Sequence, residues 1–216
     1  MNWMKKVAVA LVCLLPLGLQ AAKIDTLQVK SPSMNKSIEV VVVSPDVAAT
    51  KACPVIYLLH GYGGNACTWV GIKPDLPKIA DEKGIFFVCP DGKNTWYWDS
   101  PLNADVRYET FISNELVKYV DSHYKTVADR KGRAITGLSM GGHGAMWNGL
   151  RHSDVFSAAG STSGGVDIRP FPKNWEMSVQ IGEKAKYPEN WEKYTVINLV
   201  PTLRKDQIAL IFDCGD

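Results

Sequence analysis

The chain has 216 residues, 46% of them hydrophobic and 21% charged, a mix that excludes collagen-like, coiled-coil and disordered architectures. Its 24 basic and 22 acidic side chains leave a net charge of +2. Both excess positives are Lys5 and Lys6, so the remainder is neutral, which argues against nucleic acid as the partner because phosphate binding needs a basic face.

Residues 1–22 read as a secretory signal peptide. Two lysines precede an apolar run, Val7–Leu19, and Gln20-Ala21-Ala22 offers small residues for cleavage. The run is about 13 residues long, short of the roughly 20 that a membrane-spanning helix needs. Export to the periplasm or the exterior is therefore expected, with no membrane span once the leader is removed. Export also permits disulfides among Cys53, Cys67, Cys89 and Cys214, in any of three pairings. Cys89 and Cys214 end apolar runs, where a small buried hydrophobe is the simpler reading.

Residues 23–216 form the body. Ile24–Lys30 and Ser37–Val43 predict two strands joined by a turn at Ser31-Pro32-Ser33-Met34-Asn35. Pro54–His60 and Ile85–Pro90 are continuous apolar runs, suited to strands buried on both faces. Leu76–Lys83 predicts a short helix ending at Gly84. Tyr108–Tyr124 carries apolar residues at 108, 111, 112, 116, 119, 120 and 124, the stripe of an amphipathic helix. Arg133–Leu138 predicts a strand, Met140–Arg151 a helix and Phe156–Gly160 a strand. The stretch 166–201 is irregular, with a helix at Trp175–Ile181, and Gln207–Asp213 predicts a last buried strand. Strands alternating with helices from residue 54 onward indicate an α/β fold with a mainly parallel sheet covered on both faces. Functional groups of such sheets gather beyond the strands' C-terminal ends.

Two of those ends carry chemistry. Gly137-Leu138-Ser139-Met140-Gly141 is a G-x-S-x-G run between a predicted strand and a predicted helix. That placement makes Ser139 a candidate nucleophile on a strained elbow. Gly141, Gly142 and Gly144 each cost a helix about 1 kcal/mol relative to alanine, and close approach of helix to strand would explain them. His60-Gly61-Tyr62-Gly63-Gly64 follows another predicted strand. Acyl transfer passes through an oxyanion that needs backbone N–H donors already aimed at it. Tyr62 and Met140 are the candidates for those two amides, and His60 reads as structural. The loop lacks the lysine and the spacing of a phosphate-binding loop. Trp69, Trp96, Tyr97 and Trp98 could line a pocket or anchor loops in the core. His123, His143 and His152 fit no metal spacing, and His143 suits a hydrogen bond within the fold.

In chain order, His60-Gly61-Tyr62-Gly63-Gly64, Pro90-Asp91-Gly92, the nine residues from Gly137 to Ala145, and Asp213-Cys214-Gly215 resemble the esterase D / S-formylglutathione hydrolase-like family, which includes feruloyl esterase domains and mycolyltransferases. The resemblance covers about residues 35–216. It implies an α/β-hydrolase fold, a Ser–Asp–His triad, carboxylic-ester substrates and no cofactor or metal. Ser139 takes the place of the nucleophile, with Met140 and Tyr62 supplying the oxyanion amides. Members of the family place the acid just past the Asp-Cys-Gly strand and the histidine further on. Asp216 is the nearest acid here, and no histidine stands in the family's position. The chain is thus expected to be C-terminally incomplete, to lack the closing strand and helix, to leave 207–213 as an exposed edge, and by itself to be poorly soluble and to turn over ester negligibly. The expected substrate is a small-molecule or polysaccharide-linked ester, feruloyl or acetyl esters among them. Two other readings are an acyltransferase and a non-catalytic module binding carbohydrate or lipid in the same pocket.

Overall fold

The computed structural model describes residues 22–213. The predicted leader, apart from Ala22, and Cys214 and Asp216 lie outside the described residues. The chain opens with β1 (Lys23–Ser31) and β2 (Lys36–Ser44), followed by β3 (Val55–Leu59). Helices α1 (Thr68–Ile72) and α2 (Leu76–Lys83) lead to β4 (Phe86–Pro90). A long helical stretch follows, made of α3 (Tyr108–Thr110), a π-helical turn (Phe111–Leu116) and α4 (Val117–His123). Next come β5 (Arg133–Gly137), α5 (Met140–Arg151), β6 (Ala158–Thr162), α6 (Met177–Ile181), α7 (Pro188–Lys193) and β7 (Ala209–Asp213).

The strands form one sheet in the order β1-β2-β4-β3-β5-β6-β7. β2 pairs antiparallel with both β1 and β4, and every pairing from β4 through β7 is parallel. Period-two alternation gives each central strand two apolar faces. Val40 and Val42 join Tyr57, Leu59, Val88 and Ile135 on one face, under α4 and α5. Val41 and Val43 join Leu58, Phe87 and Cys89 on the other, under α2. Each such fully buried Val or Leu contributes about 1.5–3 kcal/mol by leaving water.

Most predicted boundaries agree within two residues, and those of α2 and α5 coincide with the prediction. Gly84 ends α2 at φ 63°, a left-handed cap that favours glycine. The stripe on α3–α4 is buried as expected at Tyr108, Phe111, Ile112, Leu116 and Val120, but its middle is π-helical rather than α-helical. One boundary needs correction. Phe156 does not start a strand: its N–H bonds to the His152 carbonyl at 3.0 Å, closing a turn after α5, and β6 starts two residues later. For the last strand the apolar run spoke for burial and the family resemblance for an exposed edge, and the structure shows the edge. β7 lies at the sheet edge, where Ile211 and Phe212 are 75% and 71% exposed. Periodicity reports what a strand can bury, and its position in the sheet decides whether it does. Among the described residues Cys53, Cys67 and Cys89 form no disulfide with one another, and Cys89 packs among apolar neighbours as the simpler reading had it.

Gly141 lies so close to β3 that a Cβ on it would overlap the Leu59 carbonyl. Gly71 in α1, by contrast, has open space around it. Gly141→Ala is therefore expected to destabilise the fold by about 1–3 kcal/mol. Gly71→Ala should be neutral or stabilising by up to about 1 kcal/mol. Urea denaturation of the two variants checks both signs.

Candidate active site

Ser139 stands between β5 and α5 at φ 55°, ψ −116°, a conformation that side-chain-bearing residues rarely adopt. Three backbone hydrogen bonds hold it there. Its N–H donates to the Thr162 carbonyl at 2.9 Å, its carbonyl accepts from His143 N–H at 3.0 Å, and Gly141 N–H donates to the Leu138 carbonyl at 2.8 Å. The glycines make the turn possible in different ways. Gly141 admits the close approach of α5 to β3, as the sequence suggested. Gly144 instead makes room for the Tyr97 ring, which a Cβ would overlap.

Ser139, Tyr62 and Met140, the three residues singled out in the sequence, line one cavity of about 220 Å³. Among the described residues, neither the Tyr62 nor the Met140 N–H has a protein acceptor, whereas Gly63 N–H and Gly64 N–H are both used. The Met140 amide opens α5, where the helix dipole favours negative charge. Trp96, Phe171 and Trp175 complete an aromatic wall around the serine. The Tyr62 side chain is 38% exposed. Its phenol is raised above the ordinary tyrosine range by desolvation and by a hydrogen bond to Glu176.

Of the four aromatics with two roles left open, Trp96 lines the cavity and the other three anchor the core. Tyr97 and Trp98 are fully buried, with Tyr97 Oη donating to the His60 carbonyl at 3.0 Å. Trp69 packs against the α2 face of the sheet. The sequence drew attention to Trp96 but gave no reason to select Phe171 and Trp175, which reach the cavity from an irregular segment with no periodic signal.

Each histidine is engaged away from Ser139. His60 contacts Gly61 and Gly92, His123 contacts Ser122 and Tyr119, and His152 contacts Glu109. His143 accepts from Trp98 Nε1 at 2.9 Å and donates through Nδ1 to the Gly165 carbonyl at 2.7 Å. Complete burial, opposed in part by the Gly165 bond, lowers its pKa to about 4.

A strained serine at a strand-to-helix turn, at the C-terminal end of a parallel strand and beside two free amides, defines an α/β-hydrolase. The solved structure of a ferulic acid esterase superposes with a TM-score of 0.72 at 29% identity, covering 91% of this chain and 80% of that one. An S-formylglutathione hydrolase from Agrobacterium tumefaciens shares the fold, with a TM-score of 0.74 at 21% identity over 89% of this chain and 75% of that one. The family model described as "Putative esterase" matches residues 31–210, and the chain belongs to that family. An esterase of Mycobacterium tuberculosis is 28% identical over 149 residues, 66% of this chain and 32% of that protein. An acetyl esterase of Caldicellulosiruptor saccharolyticus is 32% identical over 102 residues, 47% of this chain and 37% of that protein. The chain thus spans about a third of the length of these curated relatives.

The His143 geometry has a consequence for stability. A histidine with an ordinary pKa near 6.5 when unfolded and about 4 when folded binds its proton only in the unfolded state between those values. Stability is therefore full above pH 6.5 and falls as pH drops toward 4, by about 3 kcal/mol in total for this group. Denaturation free energies measured across that window are expected to lose this part of their slope in His143→Gln.

Proposed function

We propose that the whole protein is an exported serine esterase that cleaves carboxylic esters through an acyl-enzyme on Ser139. The observation that carries this reading is the elbow serine sharing one cavity with two backbone amides that have no protein acceptor among the described residues. In this reading Ser139 Oγ attacks the ester carbonyl carbon and gives its proton to a base. The carbonyl π electrons move onto oxygen, where the Tyr62 and Met140 N–H groups receive them. Collapse expels the alcohol, which takes the proton from the base. Water then repeats the cycle on the acyl-enzyme and frees the acid. The four histidines of residues 22–213 all have other partners, so the base and its supporting acid are proposed to come from outside those residues. A polypeptide of residues 1–216 alone is expected to turn over ester negligibly.

The alcohol is proposed to be carbohydrate and the acyl group acetyl or feruloyl. Supporting this are the ferulic acid esterase and acetyl esterase among the relatives, and the wall of Trp96, Phe171 and Trp175 beside the serine. Export is supported by Lys5 and Lys6 ahead of an apolar run too short to span a bilayer. A cytosolic glutathione thioester is then an unsuitable substrate.

In the whole protein, Ser139→Ala is expected to lower kcat for nitrophenyl and feruloyl esters by about 10⁴–10⁶ while leaving the fold intact. An organophosphonate should label Ser139 and no other serine, as peptide mass mapping would show. Turnover that survives the substitution would move the nucleophile elsewhere. Tyr62 acts here through its amide, so Tyr62→Phe should cost little. Tyr62→Pro removes the N–H and should cost about 10²–10³ in kcat.

A further inference from the structure

The loop from Gly61 to Asn65 is held at both of the peptide groups that flank Tyr62. On one side stands His60, whose imidazole is buried. Its Nε2 accepts from Gly92 N–H at 2.9 Å. An amide N–H only donates, so Nε2 carries the lone pair and the ring proton sits on Nδ1. Asp91 Oδ1, 3.5 Å from Nε2, is too distant for a hydrogen bond and accepts Lys93 N–H at 2.9 Å instead. The Nδ1 proton is thereby directed to the Gly61 carbonyl, 2.7 Å away, and Gly64 N–H donates to the same oxygen at 3.0 Å.

That carbonyl shares a planar trans peptide with the Tyr62 N–H, which must point the opposite way. On the other side, Gly63 N–H donates to Asn94 Oδ1 at 2.9 Å, and Asn94 Nδ2 donates to Glu176 Oε2 at 3.2 Å. Both planes around Tyr62 are therefore fixed, and its own N–H is left without a protein acceptor among the described residues. The loop also lies against the serine: a Cβ on Gly61 would stand 3.5 Å from Ser139 Cβ.

We propose that His60 and Asn94 are positioning residues that hold the Tyr62 amide aimed at the developing oxyanion, an inference that rests on the esterase reading above. His60 fixes the peptide that carries the donor. Asn94 fixes the next peptide and ties the loop to Glu176, in the segment that supplies Trp175 to the cavity. A donor held in this way needs no reorganisation when charge develops.

The test uses the whole protein, whose Ser139-dependent turnover is established first. Asn94→Ala is expected to lower kcat about tenfold with KM within about twofold, a fraction of the 10²–10³ lost with a whole donor. Asn94→Asp combined with Glu176→Gln keeps an acceptor for Gly63 N–H and restores a donor–acceptor pair between positions 94 and 176, and should recover most of that loss. Affinity for a trifluoromethyl ketone, which forms an oxyanion on Ser139, should fall in step with kcat, and affinity for the matching unreactive amide should not. ¹⁵N NMR should find His60 protonated at Nδ1 and not at Nε2, a result that needs no substitution in the buried site. Wild-type kcat in Asn94→Ala, equal weakening of ketone and amide, no recovery in the Asn94→Asp, Glu176→Gln double variant, or a His60 proton on Nε2 would each overturn the clamp alone. Absence of Ser139-dependent turnover in the wild-type protein would overturn the esterase reading and the clamp with it.

Discussion

The backbone of Gly141 rests against the carbonyl oxygens of Leu59 and His60, closer than any side chain would permit. Much of the candidate site follows from that contact. It brings the first turn of α5 onto the end of β3, which fixes the distance between Ser139 and the loop that β3 feeds. It also turns the chain sharply enough at Ser139 to leave φ positive. Such strain persists only where the surroundings over-determine it. Here the hydrogen bond of Ser139 N–H to Thr162 on β6, and that of His143 N–H to the Ser139 carbonyl, supply the restraint.

Around this elbow lies a buried aromatic layer that connects the helix to the loops. Trp96 and Trp98 stack with ring centroids 5.5 Å apart, and His143 meets both edge-on at 5.1 Å. Trp147 stacks on Tyr194 at 5.2 Å, which carries the layer to the segment after α7. A neutral His143 suits this setting, because it both accepts from an indole N–H and donates to a carbonyl. Charging it would remove the acceptor that Trp98 requires. The wall of the cavity and the helix that follows Ser139 are thus parts of one packed unit, and Trp96 takes part in both.

The edge strand β7 shows a different balance. Its apolar side chains would suit a covered position, yet Leu210, Ile211 and Phe212 are all exposed. Leu210 and Phe212 line an apolar cavity of about 290 Å³ together with Met146 and Leu150 of α5. The Asp213 carbonyl accepts from Ser163 N–H at 3.1 Å, which keeps the end of β7 close to the segment that follows β6.

Much of the molecule was legible in the sequence because its determinants are local. Apolar runs marked β3 and β4, a period near 3.6 marked α3–α4, Gly84 ended α2, and Gly-x-Ser-x-Gly between a strand and a helix marked the elbow. Tyr62 and Met140 could be singled out beside Ser139 because the motifs dictate which amides are left bare. What only tertiary structure decided depended on partners distant along the chain. Phe171 and Trp175 reach the cavity from a stretch without periodicity, and the tautomer of His60 is set by Gly92, 32 residues on. The role of Asn94 lies in joining residues 63 and 176. For β7 the apolar run spoke for burial and the family resemblance for an exposed edge, and the place of the strand in the sheet decided between them, since a strand's own pattern records what it could bury and not whether a neighbour is there to cover it.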